Sequence, residues 1–534
     1  MKHDVDNVKT LICTGFNPAK FMLIVSLLLI SGNLVSQDSD YWVFFRDKAG
    51  VTFSPESWFS EKALERRQIQ GIEISESDKP LVHDYVDAIE NMADEMLGCS
   101  RWFNAAYIKS DHTGVEKIRE LPFVKTVEPA VVWQQNPCAS TEIFDDEDQD
   151  LRRKQLNMFF PDILAEQGLN GEGVRIAVLD AGFPGVDDHA AFSHLRDNKQ
   201  IVNVHDFVKD KQTVFHANKH GTMVLSCIAG KHDSGNMGLA PAAEFLLART
   251  EKNFEPYKEE IYWMQAMEWA DKEGADIINS SLGYTYHRYF KSAMDGKTSL
   301  VSRAANMAAS KGILVVNAAG NSGYDSWHVI GTPADADSIL TVGGVGPDDK
   351  LHINFSSYGP TADGRLKPNV CASGKAFVAD KHGYTTASGT SFASPLTCGF
   401  VACVKQAFPE LSVMELIESI QQAGSLYPYF DYAHGYGVPN AYKLFTENNA
   451  PDPTFKLIEK GDKQKVHIPA AVFNSGVMHS STHLFYHIAD ANGEIVSYKV
   501  IKVHSNEPLE LDNGVLKDKT LRMHYLGYTL EKQF

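Results

Sequence analysis

Val174-Arg-Ile-Ala-Val-Leu-Asp180-Ala-Gly182 reads as an apolar strand that ends in an acid and a glycine turn. Apolar β-branched runs of the same kind return at residues 277–282, 313–317 and 339–342, and helical segments alternate with them from about residue 151 to 448. That alternation predicts an α/β fold, a parallel sheet covered by helices on both faces. In such sheets catalytic groups sit at the carboxyl ends of strands, where loops open to solvent. Asp180 stands at such an end, although taken alone it reads as a helix cap or turn acid. Gly171 and Gly173 precede the strand instead of following it, which disfavours a dinucleotide fingerprint.

Three other segments of the α/β region carry residue types that acyl transfer requires. His220-Gly-Thr-Met-Val-Leu-Ser-Cys-Ile-Ala-Gly230 puts a histidine at the start of an apolar helical run. His216 lies four residues earlier, but the glutamate of the H-E-x-x-H zinc motif is missing, so no metal site is assigned. Ile313-Leu-Val-Val-Asn-Ala-Ala-Gly-Asn321-Ser-Gly323 is a strand running into a turn. Turns favour Asn in any case, yet the Asn321 amide could also donate to the oxyanion of a tetrahedral intermediate. The most specific segment is Thr386-Ala-Ser-Gly-Thr-Ser391-Phe-Ala-Ser-Pro395, with a helical run behind it at residues 396–408. Small residues before Ser391 let backbone pass close to a substrate, and a helix starting there offers unsatisfied N–H groups to developing negative charge. A serine hydroxyl is a weak nucleophile until a base takes its proton, and the base needs an acid to fix its tautomer. The chain supplies acid, base and nucleophile in the order Asp, His, Ser.

These four segments resemble those of the subtilase family over nearly all of residues 151–448. The resemblance implies a subtilisin-like parallel sheet and a serine endopeptidase. In it Asp180 orients His220, His220 is general base and then acid, Ser391 attacks, and Asn321 joins the Ser391 N–H in the oxyanion hole. It also implies that Ser281, Leu282 and Gly283 pair as an extended edge with substrate backbone. By the same token Ala318, Ala319 and Gly320 line the pocket for the side chain before the scissile bond, and Thr332-Pro333 is a cis peptide. Asp-Ala-Gly at 180–182 replaces the more usual Asp-Ser-Gly or Asp-Thr-Gly, a change beside the acid and not in it. Residues 284–301 form a polar insertion near the presumed binding edge, either a shaper of specificity or a solvated loop. The chemistry requires no cofactor, and although calcium sites are common in the family, scattered acids define none here.

Outside this region the chain divides into four further stretches. Lys20 followed by the apolar run 21–30 and small polar residues to Gln37 reads as a signal peptide over residues 1–36, cleaved near Ser36. An uncleaved anchor is the lesser reading, since the apolar core is short for a full span. The protein is accordingly expected to be secreted or held at the cell surface, with no stable membrane span in its mature form. Residues 37–132 read as a small α/β unit with a strand at 41–45 and a helix at 61–70, capped by Ser60. A second helix carries Val82, Tyr85, Val86, Ile89, Met92 and Met96. A strand at 102–108, a capping box from Thr113 to Glu116 and a strand at 123–127 complete the unit. It resembles a subtilase propeptide, most clearly at 101–129, which implies that it chaperones folding and blocks the active site until cut off. Residues 133–150, with Asp145, Asp146, Glu147 and Asp148 at their centre, read as a solvated acidic linker open to proteolytic processing. Residues 449–534 read as a small β-domain with a hairpin turn at Asn492-Gly493.

The formal net charge of -18 disfavours a nucleic-acid partner, and the family resemblance implies polypeptide substrates and the chain's own propeptide as partners. Seven cysteines in 534 residues do not make a disulfide framework, and Cys227, Cys398 and Cys403, in apolar helical runs, read as buried small side chains. Two rivals are weighed. An α/β-hydrolase esterase needs a G-x-S-x-G elbow with acid and histidine after the serine, whereas here both precede Ser391. A catalytically inactive subtilase scaffold acting as a binding or adhesion protein has only the C-terminal β-domain in its favour, and the intact motif residues oppose it.

Overall fold

The computed structural model describes residues 39–130, 142–144, 149–252, 257–285, 288–446, 451–469, 472, 483–503 and 509–534. The expected signal peptide and most of the acidic linker lie outside them. Near the N-terminus, β1 (Ser39–Phe45), β2 (Glu95–Ser100), β3 (Ala105–Ser110) and β4 (Val124–Pro129) form an antiparallel sheet in the order β2-β3-β1-β4. Helices α1 (Glu61–Ile69), α2 (His83–Glu90) and α3 (His112–Arg119) accompany it, and Val43, Phe45, Ile89, Ile108 and Ile118 form its own small core. Ser60 caps α1 as expected, its hydroxyl accepting from Ala63 N–H at 3.2 Å. Two local expectations fail. Asp111, not Thr113, caps α3, because its carboxylate reaches the Gly114 N–H at 2.6 Å and so starts the helix two residues early. Met96 belongs to β2 and not to a helix, since this segment pairs antiparallel with β3.

The backbone of β5 (Glu142–Phe144) then runs beside the catalytic region, whose sheet contains β6 (Arg175–Asp180), β7 (Ile201–Asp206), β8 (Glu244–Arg249), β9 (Ile277–Ser280), β10 (Leu314–Ala318), β11 (Leu340–Val345) and β12 (Val370–Ser373). Its order is β12-β11-β10-β9-β6-β8-β7 and every pair is parallel. Period-two geometry sorts the side chains of β6. Ile176 and Val178 pack with α4 (His220–Ala229), while Ala177 and Leu179 pack with α5 (Lys258–Lys272) and α6 (Leu300–Ser310). A strand buried on both faces has to be apolar throughout, which explains the unbroken run 176–179. A separate hairpin, β13 (Lys375–Ala379) and β14 (Tyr384–Ser388), leads into α7 (Thr390–Ala407), which packs on β9 to β12 and on α4. Cys227, Cys371, Cys398 and Cys403 are buried free thiols.

The N-terminal unit sits on the α5/α6 face. Trp42, Trp102 and Tyr107 share a core with Trp263, Met267 and Ala304, and a set of buried ions holds the two together. Asp271, wholly buried, accepts from Arg66 Nη2 at 2.6 Å, Arg67 Nη1 at 3.0 Å and Arg101 Nη2 at 2.6 Å. Glu268 takes the Arg101 and Trp102 N–H groups at 3.0 and 3.1 Å. Removing one member of such a set leaves the others as unpaired buried charges, at a cost of about 3–5 kcal/mol.

The C-terminal strands are β15 (Lys456–Lys460), β16 (Lys463–His467), β17 (His483–Ala489), β18 (Ile495–Lys502), β19 (Glu510–Asp512), β20 (Thr520–Tyr525) and β21 (Tyr528–Gln533). They make two sheets, β15-β16-β19 and β18-β17-β20-β21, over a shared core of Phe455, Val466, Leu484, Tyr486 and Leu521. β17 and β18 pair antiparallel across the Asn492-Gly493 turn, as the sequence predicts. Tyr429 and Phe485 join this unit to the catalytic region. No helix among the described residues is long and apolar enough to cross a membrane.

Candidate active site

Three element ends meet at the carboxyl edge of the parallel sheet. Asp180, the last residue of β6, is fully buried, and His220, the first residue of α4, points Nδ1 at its carboxylate, 2.8 Å from Oδ1 and 3.0 Å from Oδ2. Two glycines permit this approach. A Cβ on Gly221 would lie 2.5 Å from the Gly182 carbonyl oxygen and 2.9 Å from Asp180 Cβ, and one on Gly182 would lie 2.2 Å from the His216 carbonyl oxygen. The first would force α4 away from the strand end, and the second would displace the 216–218 segment that leads into it. His216 itself turns aside to Asp206, at 3.3 Å. The His220 side chain keeps 14% of its surface exposed. Burial opposes a charged imidazole, but the Asp180 carboxylate, its hydrogen bond and Glu251 outweigh burial, so the pKa of His220 is held above its ordinary value.

Ser391 is the second residue of α7, which begins at Thr390, one residue earlier than expected. The ring of its neighbour Phe392 lies 5.8 Å from the His220 ring, which brings this helix start to the imidazole. The Ser391 hydroxyl donates to the Ser281 carbonyl over a long 3.3 Å. The Ser281 hydroxyl in turn donates to the Ser391 carbonyl at 2.8 Å. Pro395 explains the second bond. Four residues after Ser391 inside the helix, it has no N–H for the Ser391 carbonyl, and Ser281 supplies the missing donor. Asn279 Nδ2 then donates to the Ser281 hydroxyl at 3.2 Å and its Oδ1 accepts from Ser394 at 3.1 Å, closing a buried set around the start of α7.

Asn321 follows β10 in the turn. Its Oδ1 accepts from both the Thr390 N–H and the Thr390 hydroxyl, each at 2.9 Å. Two donors on one end fix which end of the amide is the oxygen. A Cβ on Gly389 would lie 3.4 Å from Asn321 Nδ2 and 3.7 Å from Ser391 N, so both nitrogens border the space beside that glycine.

The remaining candidates occupy two edges. Ser281, Leu282 and Gly283 follow β9 and pass from buried through half-buried to exposed, with nothing nearer than the Thr332 carbonyl, at 3.8 Å, to a Cβ on Gly283. Asn317 Nδ2 steadies this edge by donating to the Leu282 carbonyl at 3.1 Å. Behind it, Tyr284 and Thr332 exchange backbone hydrogen bonds of 2.8 and 3.1 Å, and Thr332-Pro333 is cis. On the other edge Ala318 is buried, Ala319 packs with Ile330 and Ala334, and Gly320 is half-buried. The described part of the insertion is anchored at its start, while residues 290–292, 297 and 298 stay exposed. Arg288 is buried against Glu259 and Glu260 at 3.1 Å each, and Tyr284 donates to Glu251 at 3.0 Å. Among the described residues no group of three or more His, Cys, Asp or Glu side chains converges on a metal-sized site.

Thr390, Asn317 and Asn279 escaped the sequence reading, because their partners lie about 35 to 115 residues away along the chain. Pro395 carried a readable signal, since a proline inside a helix always strips a partner from the carbonyl four residues back.

A family model described as "Subtilase family" matches residues 171–437, and one described as "Peptidase S8 propeptide domain, Bacteroidota" matches residues 40–143. Serine protease AprX of Bacillus subtilis is 31% identical over 317 residues, 53% of this chain and 68% of that protein. Subtilisin DY of Bacillus licheniformis is 32% identical over 259 residues, 48% of this chain and 85% of that protein. Among solved structures, the epidermin leader peptide processing serine protease of Staphylococcus aureus is similar in fold, with a TM-score of 0.54 at 17% identity over 76% of this chain and 99% of that one.

Proposed function

The chain belongs to the subtilase family and is a subtilisin-like serine peptidase made as a zymogen; given that membership, we propose that it is a secreted endopeptidase that cuts polypeptides through an acyl-enzyme on Ser391. One observation carries this reading: the ends of β6, α4 and α7 meet, so that the Asp180–His220 pair stands beside the Ser391 segment. Among the described residues the Ser391 hydroxyl has only a long bond to Ser281, easily exchanged for one to His220 once a substrate carbonyl is seated. His220 Nε2 takes the hydroxyl proton while Oγ attacks the carbonyl carbon, and Asp180 holds Nδ1–H and stabilises the imidazolium. Asn321 Nδ2 and the Ser391 N–H receive the oxyanion. His220 returns the proton to the leaving amine, and water releases the acyl group by the same route. Substrate backbone lies along Ser281 to Gly283, with Ala318 to Gly320 below the side chain that precedes the cut bond. The N-terminal unit serves as intramolecular inhibitor until it is removed, and neither metal nor cofactor takes part in the chemistry.

A serine-directed phosphonate tests the proposal. The mature protein is expected to gain one adduct, on the peptide carrying Ser391; a folded protein that takes none would instead be an inactive scaffold. Asn321→Ala is expected to lower kcat by about 10² to 10³ with KM nearly unchanged, since the amide acts on charge that exists only in the transition state. Steady-state kinetics on a peptide amide decides it, and an unaltered kcat would remove Asn321 from the oxyanion hole.

A further inference from the structure

A second acid–imidazole pair lies outside the mechanism. Asp431 is fully buried and His434 keeps 3% of its surface exposed. The Asp431 carboxylate accepts from the Tyr429 hydroxyl and from the Ala433 and His434 N–H groups at 3.0, 2.9 and 2.8 Å, and its Oδ1 lies 3.0 Å from His434 Nδ1. This imidazole is closed to a substrate, because its Nε2 already accepts the His352 N–H at 3.0 Å. Accepting there requires a bare nitrogen, so the ring carries its proton on Nδ1 and donates it to Asp431. The pair is built to hold backbone in place.

The backbone it holds opens a segment that cradles the turn of Asn321. His352 Nε2 donates to the Ser356 carbonyl at 2.9 Å, and its ring stacks with Tyr358, which stacks with His328 in turn, at centroid distances of 4.2 and 4.4 Å. Ser357 donates its N–H to the Gly320 carbonyl at 2.9 Å and accepts the Ser322 N–H on its hydroxyl at 3.1 Å, so one serine grips the residues on both sides of Asn321. The Phe355 carbonyl accepts the Gly323 N–H at 2.8 Å. The fit is close: a Cβ on Gly320 would lie 2.9 Å from Ser357 Oγ, and one on Gly323 would lie 2.2 Å from the Ser356 carbonyl oxygen. From the other side the C-terminal unit bears on His434 itself. The Phe485 ring of β17 stands at 88° to the imidazole with centroids 5.3 Å apart, and Leu351, the residue before His352, packs with Phe485 and Tyr429.

We propose that His434 is a positioning residue for the oxyanion hole: braced by Phe485 of the C-terminal unit, it fixes the 352–358 segment and, through Ser357, the backbone on either side of Asn321. The inference rests on the assignment of Asn321 to the oxyanion hole, and it gives the C-terminal β-domain a part in the reaction.

The test is a double-mutant cycle on the full chain, with steady-state kinetics on a peptide amide and active sites counted with the serine-directed phosphonate. His434→Leu is expected to lower kcat by about 10-fold to 10²-fold with KM nearly unchanged, because the donors are misplaced and the substrate edge is not. His434→Gln, whose side-chain oxygen can again accept the His352 N–H, is expected to recover most of that loss. Should His434→Leu fail to fold, Phe485→Leu, which keeps an apolar side chain in the C-terminal core, reads the same coupling with a smaller loss of about threefold. In an Asn321→Ala background each of these losses is expected to vanish, since the group they act through is gone. A loss that persists in full beside Asn321→Ala, or an unaltered kcat in both His434→Leu and Phe485→Leu, would overturn the inference and leave Asn321 in the oxyanion hole. An unaltered kcat in Asn321→Ala alone would instead remove the oxyanion assignment, and the inference with it.

Discussion

Ser391→Ala is expected to lower kcat for peptide hydrolysis by about 10⁶, the loss that follows removal of an attacking group whose partners act as a unit. The fold should survive the change. Ser391 keeps only 8% of its surface exposed, and among the described residues its hydroxyl makes a single long bond of 3.3 Å, to the Ser281 carbonyl. The bond that matters for the helix start runs the other way, from the Ser281 hydroxyl to the Ser391 carbonyl, and an alanine leaves it in place. The net worth of one such neutral hydrogen bond is about 1 kcal/mol, so thermal unfolding should shift by a few degrees at most. Near-normal stability with activity gone would separate chemistry from folding. A purified Ser391→Ala protein that kept activity within tenfold of the parent would end the assignment.

Asp180→Asn is expected to lower kcat by about 10⁴ near neutral pH. The carboxylate accepts from His220 Nδ1–H at 2.8 Å, and an amide nitrogen in its place would donate, favouring the imidazole tautomer that cannot receive the serine proton at Nε2. The acid limb of the pH profile should move as well. His220 works as a base only when neutral, so activity falls as pH drops through its pKa. Burial alone would lower that pKa from its ordinary 6.5, but the Asp180 charge and hydrogen bond, with Glu251, hold it above. The parent enzyme should therefore lose activity at a pH above 6.5, and the variant, with burial left in control, should show its inflection at lower pH. Profiles of kcat/KM across the acid range check the sign. An inflection that stayed in place or moved upward would mean that something other than Asp180 sets the imidazole.

How much of this was legible beforehand depended on the reach of each interaction. The N-cap at Ser60 and the turn at Asn492-Gly493 are contacts within a few residues, and both are found where the pattern puts them. Asp111 displaced the capping box at Thr113 because two acceptors competed for one helix start and the earlier reached a donor. Met96 sits at helical spacing after Met92, yet the long-range pairing of β2 with β3 overrode that periodicity. The insertion at 284–301 read as either a shaper of specificity or a solvated loop, and the pattern did not show that Arg288 within it is buried because Glu259 and Glu260 on α5 meet it. Charge patterns show where ions are, and not which ones the fold will pair.

The amino-acid sequence by itself determined the parallel α/β architecture, because strand and helix character is local, whereas Asp180, His220, Asn321 and Ser391 were singled out as a set by the resemblance of their four segments to the subtilase family and not by any one run alone. The tertiary structure alone decided what makes those residues a site. It gave Asn321 its orientation through Thr390, closed the carbonyl that Pro395 leaves open with the Ser281 hydroxyl, and laid Glu142–Phe144 beside the strand that leads to Ser391. The reason is physical. Hydrogen bonds between segments about 70 to 240 residues apart are set by how the sheet stacks its strands, and no local pattern encodes that order.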